Sequence, residues 1–142
     1  MAAFTRGFET FDHTADVGIR AWGENLEHLF EEAGKALFSV MVDLNTVSDR
    51  KTHPLDLRAE SNEDLIYAWL NELLFIFETE RFVFKSFSVS HIDSLHLTAE
   101  GRGEALDRSK HVLYREVKAV TRHQFQLTRD SSRFLMEAIL DI

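Results

Sequence analysis

The residues of this chain best suited to chemistry lie toward its two ends. Phe134-Leu135-Met136-Glu137-Ala138-Ile139-Leu140 is too apolar to leave in water, so the last segment is expected to pack as a strand as far as Asp141-Ile142. Such a strand presents a side-chain carboxylate and an α-carboxylate from adjacent positions. With a third oxygen from elsewhere in the chain, that pair would suit a hard cation such as calcium or magnesium better than zinc. The alternative is that Asp141 and the terminus merely solvate the end of a strand. Near the start, His13 adjoins Asp16, and His123 lies in a basic stretch beside Lys118 and Arg122. These two are the histidines best placed for acid–base work or partner contact. His28 falls in a helical pattern, His53 in a polar loop, His91 and His96 across an expected hairpin, and His111 has no evident role. For these the plainer reading is a surface or loop imidazole.

Several classes of function are excluded or weakened. There is no cysteine, hence no disulfide, thiolate zinc site or cysteine nucleophile, which suits a reducing, cytoplasmic setting. The opening Met1-Ala2-Ala3-Phe4-Thr5-Arg6-Gly7 lacks the apolar run of a signal peptide, and no stretch has the roughly 20 apolar residues of a membrane span. The six glycines spell neither a P-loop nor a dinucleotide-binding turn, and Gly101-Arg102-Gly103 is expected to mark a turn or bend between strands. A formal charge of −8 argues against nucleic-acid binding through overall electrostatics. The charge is uneven, however: residues 101–133 carry a net +4 and the remainder −12, an asymmetry able to orient a partner.

The elements that would position these residues follow from periodicity. Phe8–Phe11 and Val17–Trp22 alternate as strands, with His13-Thr14-Ala15-Asp16 between them. From Asn25, a favourable N-cap, Leu26, Leu29, Phe30, Ala33, Leu37, Phe38 and Met41 form one helical face. Glu27, Glu31 and Glu32 lie toward the end of that helix where its dipole favours carboxylates. Leu55, Leu57 and Ala59 alternate as a short strand after Pro54. Ser61-Asn62-Glu63-Asp64 then opens a second helix faced by Leu65, Ile66, Trp69, Leu70, Leu73 and Phe77. Phe82–Ile92, Leu95–Ala99, Tyr114–Thr128 and Phe134–Leu140 are expected strands. The expected architecture is α+β: one domain over residues 1–142, with two amphipathic helices on an antiparallel or mixed β-sheet of about seven strands.

Five segments together carry a family resemblance. His13-Thr14-Ala15-Asp16-Val17-Gly18, Leu37-Phe38-Ser39-Val40-Met41-Val42-Asp43, Trp69-Leu70-Asn71-Glu72-Leu73-Leu74-Phe75, Val117-Lys118-Ala119-Val120-Thr121-Arg122-His123 and Asp141-Ile142 occur in order over essentially the whole chain, which thus resembles the archease family. Arg122 departs from the aromatic usual between Thr121 and His123. The resemblance implies an accessory protein, not itself an enzyme, that activates an RtcB-type tRNA-splicing ligase. It implies promotion of ligase guanylylation and multiple turnover, broader nucleotide use, and contact with nucleic acid only through the ligase. It further implies a divalent cation, calcium first and magnesium or manganese as alternatives, held by Asp16, Asp141 and Ile142. His13, Asp43, Lys118 and His123 are then expected to contact the ligase or a phosphate. Two rivals stand beside it: a stand-alone metal-dependent phosphatase or nuclease, and a general chaperone or adaptor suggested by the twelve phenylalanines.

Overall fold

The computed structural model describes residues 5–130 and 132–142; Met1 to Phe4, which open the segment read above for a signal peptide, lie outside them. Among the described residues there are eight strands in two sheets. The first sheet holds β1 (Gly7–His13), β2 (Asp16–Gly23), β8 (Phe134–Asp141) and β6 (Ala119–Val120) in that order, with β7 (Gln126–Arg129) also paired to β8. The second is β3 (Lys51–Arg58), β5 (His96–Ala105) and β4 (Phe82–Ile92). Every pairing is antiparallel.

Helix α1 (Leu26–Met41) starts where the Asn25 side chain accepts the His28 backbone N–H at 2.8 Å. It packs against β2 of one sheet and β4 of the other, so its apolar face supplies the core between them. Its acidic face does more than complement the helix dipole. Glu32, 3% exposed, takes ion pairs from Arg6 at 2.7 Å and Lys35 at 2.8 Å, while Glu31 accepts the Val89 backbone N–H at 2.9 Å. Helix α2 (Asn62–Glu80) is capped by Ser61, whose hydroxyl accepts the Asp64 N–H at 3.1 Å. Trp69 on α2 is fully buried, donates its indole N–H to the Phe30 carbonyl at 2.9 Å, and packs on Phe87 of β4 at 5.3 Å between ring centroids. One side chain thereby joins both helices to the second sheet.

Three expectations need correction. The count of eight accords with the expected α+β fold of about seven strands, but Tyr114–Thr128 is not one strand: only β6 and β7, which runs on to Arg129, join the sheet from it. Its backbone groups go elsewhere, Tyr114 N–H to the Met41 carbonyl at 2.9 Å and Lys118 N–H to the Asp141 carbonyl at 2.7 Å, and Gln124 turns the chain at φ 55°. Gly101 and Gly103 lie inside β5 rather than at a turn. A Cβ on Gly103 would come 1.8 Å from the Val83 carbonyl oxygen, so only glycine admits that close strand approach beside the irregularity at Phe84/Ser86. His53 is in β3, not a loop, against the rings of Phe82 and Phe84 with Nε2 3.2 Å from Glu80. Pro54 is tolerated within β3 because that strand is at the sheet edge. Trp69→Ala should lower stability by about 3–5 kcal/mol, read as a shifted urea midpoint at unchanged slope; a loss under about 1 kcal/mol would contradict the central placement of this side chain.

Candidate functional site

The candidate site is built by strand register. β1 and β2 are joined by the two-residue turn Thr14-Ala15, with His13 opposite Asp16. β2 pairs β8 from Val17 opposite Leu140, so Asp16 and Asp141 are the next residues beyond the last pair, on the strand ends. Asp141 in turn faces Ala119 of β6. Directly opposed residues point to one face of a sheet, so His13, Asp16 and Asp141 form a row across β1, β2 and β8 on the same face. Val17 and Leu140, one step along, are buried on the other face.

Side-chain geometry concentrates polar groups at this row. His13 Nδ1 lies 3.9 Å from Asp16 Oδ2, too far for a hydrogen bond; the nitrogen is buried and hydrogen-bonds to nothing among the described residues. The His123 ring stands edge-on to His13 at 5.7 Å between centroids. Neither Asp16 nor Asp141 has a lysine or arginine ion-pair partner among the described residues, although most buried or half-buried carboxylates here are paired. Lys118 is exposed and is tied in only through its backbone N–H to Asp141. Ile142 packs half-buried against the core, which holds the chain end in place. An open cleft of about 480 Å³ lies on the α1 side of the sheet instead, lined by Thr10, Asp12, Val17, Val40 and Tyr114, among others, and includes no member of the row.

Two backbone outliers flank the paired histidines: Thr14 at φ 45° and Gln124 at φ 55°. A β-branched threonine in the left-handed region is strained, and such strain collects at functional turns. Arg122 fills its departure from the family pattern with a definite task. Its guanidinium stacks 3.8 Å from the centroid of the Tyr67 ring and pairs with Asp64 at 3.2 Å, clamping the His123 turn onto α2. Tyr67 completes the clamp by donating its hydroxyl to the Val120 carbonyl at 3.1 Å.

Other candidates fall outside the row. Asp43 is an end cap: its carboxylate accepts the Asn45 N–H at 3.0 Å and its backbone N–H donates to Val112. His28 Nδ1 is 3.7 Å from Glu24. His91 and His96 stack at 5.6 Å, each engaged at 3.0 Å by its own aspartate, Asp93 and Asp56. Among the described residues, no three His, Asp or Glu side chains gather closely enough to hold a metal by themselves.

Sequence patterns gave no sign of a second charged cluster, centred on Glu104. This carboxylate is 5% exposed; it accepts hydrogen bonds from His111 Nε2 at 2.9 Å, Lys110 Nζ at 3.0 Å and the Ser48 N–H at 2.8 Å. His111 Nδ1 accepts the Asp107 N–H at 3.0 Å, so the ring proton sits on Nε2 facing Glu104. Burial would raise the Glu104 carboxyl, but these donors outweigh it and lower it from 4.5 to about 2. A depressed carboxyl stabilises the fold above its unfolded value and loses that contribution as pH falls through the folded one. Glu104→Gln should therefore cost about 3–5 kcal/mol at neutral pH. The gap from wild type should be full above pH 4.5 and closed near pH 2, as followed by urea unfolding across that range; a gap independent of pH would contradict it.

Comparison with known proteins places this arrangement. Residues 8–142 match the Archease protein family (MTH1598/TM1083). Protein archease of Methanothermobacter thermautotrophicus is 39% identical over 140 residues, 96% of this chain and 99% of that one. Protein archease of Sulfurisphaera tokodaii is 37% identical over 137 residues, 95% of this chain and 98% of that one. The solution structure of Methanobacterium thermoautotrophicum protein 1598 superposes with a TM-score of 0.84 at 40% identity, covering 96% of this chain and 99% of that one. A Thermotoga maritima crystal structure described as an archease and possible chaperone shares the fold, with a TM-score of 0.68 at 21% identity over 94% of this chain and 96% of that one. A family match from Phe8 to the last residue, with full-length relatives well above 30% identity, makes this chain a member of the archease family.

Proposed function

We propose that this chain is a non-enzymatic accessory of an RtcB-type tRNA-splicing ligase, promoting guanylylation and turnover of the ligase through a divalent cation held where the chain's two ends meet. The observation behind this reading is the placement of Asp16 and Asp141 at the ends of paired strands: two carboxylates on one sheet face, without lysine or arginine partners among the described residues, near the buried Nδ1 of His13. Like charges set side by side are unfavourable unless a cation joins them. The donor set fits a hard ion: Asp16, Asp141 and the α-carboxylate of Ile142 are all oxygen ligands, suiting calcium, with magnesium or manganese as alternatives. Among the described residues no three His, Asp or Glu side chains gather to hold an ion, so in this reading the Ile142 carboxylate is the third donor beside Asp16 and Asp141.

When bound, such an ion supplies positive charge for phosphate groups at the edge of an acidic protein. The chain's own residues have separate tasks. Asp16 and Asp141 bind the ion, and Ile142 anchors the terminus by its packing. His13 and His123, held by two strained turns and the Arg122 clamp, present imidazoles at the rim, and Lys118 offers a free ammonium to the ligase or a phosphate. Asp43 acts indirectly by fixing the 44–46 turn against the 112–114 segment. RNA is met only through the ligase. A cytoplasmic setting accords with the absence of cysteine, and no helix of the described residues is long and apolar enough to cross a membrane.

A chaperone reading draws on exposed Phe75, Val112 and Tyr114, 58%, 48% and 57% accessible. Suppressed aggregation of unrelated clients at the same molar ratio would favour it, and phosphatase or nuclease turnover without ligase would favour an enzyme. The proposal predicts that Asp16→Ala and Asp141→Ala, both folded, lose most of the stimulation of ligase guanylylation in a time course. A residue appended after Ile142 should do the same; equal stimulation by all of these proteins would remove the joined ends from the account.

A further inference from the structure

A second cleft, of about 770 Å³, opens on the far part of the chain and shares no lining residue with the His13–Asp16–Asp141 row. Its walls carry five cations, Arg50, Lys51, Arg81, Arg108 and Lys110, against two carboxylates, Glu104 and Asp107. In a chain with 24 acidic and 16 basic residues, such a concentration is against the overall balance. Several arginines elsewhere are matched locally: Arg6 with Glu31 and Glu32, Arg20 with Glu9 and Glu137, Arg122 with Asp64. Lys51, Arg81 and Arg108 have no ion pair or side-chain hydrogen bond among the described residues.

Four nearby acids are already engaged, while Glu78 and Glu116 line an adjoining cleft with Arg81 and Arg108. Glu80 is taken by His53 at 3.2 Å and Glu100 by Arg102 at 3.3 Å. Asp107 accepts from the Ser109 hydroxyl at 2.6 Å and backbone N–H at 2.9 Å. Glu104 lies buried beneath, fixing Lys110 at 2.8 Å and approaching Arg50 at 3.7 Å. The cleft is therefore a rigid acidic floor with a surplus of cations above it. Arg81 stands at the C-cap of α2 with φ 52°, where glycine is the usual occupant. Keeping an arginine there costs backbone strain that a charge at this wall would justify.

The lining is otherwise Ala105 and Leu106, with no aromatic ring on which a nucleobase could stack. Three guanidinium forks match the paired oxygens of phosphate groups, and the volume lies within the range of small-ligand pockets, about 300–1,000 Å³. We propose that this cleft is an oxyanion site for linked phosphate groups, the chemistry shared by a free polyphosphate tail and an RNA backbone. It is independent of the cation site and of the ligase reading.

Calorimetric titration of the full chain at low salt, with inorganic tripolyphosphate, a short single-stranded RNA and an oligoglutamate peptide of matched charge, tests this. Tripolyphosphate should bind, and Arg81→Gly combined with Arg108→Ala should weaken it about tenfold or more. Arg58→Ala, removing an exposed cation on β3 that does not line the cleft, should change nothing. Glycine suits the backbone at 81, and Arg108→Ala alone, on an exposed turn, carries the test if the double variant melts early. RNA binding with the same sensitivity, without tripolyphosphate binding, would support the site and assign it to a strand. Failure of both phosphate ligands to bind, equal affinity in the variants, or tighter binding of oligoglutamate than of both would overturn it.

Discussion

Antiparallel pairing of β2 with β8 joins the first and last parts of the chain, and its register decides both the core and the candidate site. With Val17 opposite Leu140, Ile19, Ala21, Met136, Ala138 and Leu140 turn inward against α1, and Asp16 falls beside Asp141 at the strand ends. A slip by one residue would exchange the faces, placing charged side chains in the core and apolar ones in water. The burial that stabilises the sheet therefore also sets Asp16 and Asp141 at adjoining ends of two paired strands. Because α1 packs on both sheets and Trp69 ties α1 to α2, that placement rests on the whole core.

Much of this was legible in the residues. The helices followed from three- and four-residue spacing and their caps, and Asn25 and Ser61 cap as their types suggest. Asp141-Ile142 drew attention because an apolar segment leads to them, and β8 does extend to Asp141. What spacing could not show is which strand pairs with which: the opposition of Asp16 and Asp141 spans nearly the full chain and is set by tertiary register. Only the family resemblance named Asp16 and Asp141 together. Tyr114–Thr128 misled because alternation predicts extended backbone without saying whether a neighbouring strand is free to pair; here the end of α1 and the last residue of β8 take its hydrogen bonds. The Gly101–Gly103 reading failed for a related reason, since glycine serves close strand approach as well as turns.

Charge is also segregated by the fold in a way composition only hinted at. Half of the basic residues noted in the sequence stretch gather in two places. Arg122 and Lys118 attend the chain-end site, while Arg108 and Lys110 meet Arg50, Lys51 and Arg81 from distant elements to form the cleft. His111 and Glu104, unremarkable as isolated letters, form a buried pair that fixes one wall of that cleft. An acidic body thus offers two separated features, a carboxylate row and a cationic cleft, which suit opposite charges on what they contact.

The central claim is that the strand register makes the chain ends a cation site. A crystal structure of the chain with a free carboxylate at Ile142, soaked in calcium and measured for anomalous scattering, tests it most directly. The account predicts one ordered ion bound by oxygens of Asp16, Asp141 and the Ile142 carboxylate. An ion found instead at His91 and Asp93, or none at the chain ends with calcium in large excess, would contradict it.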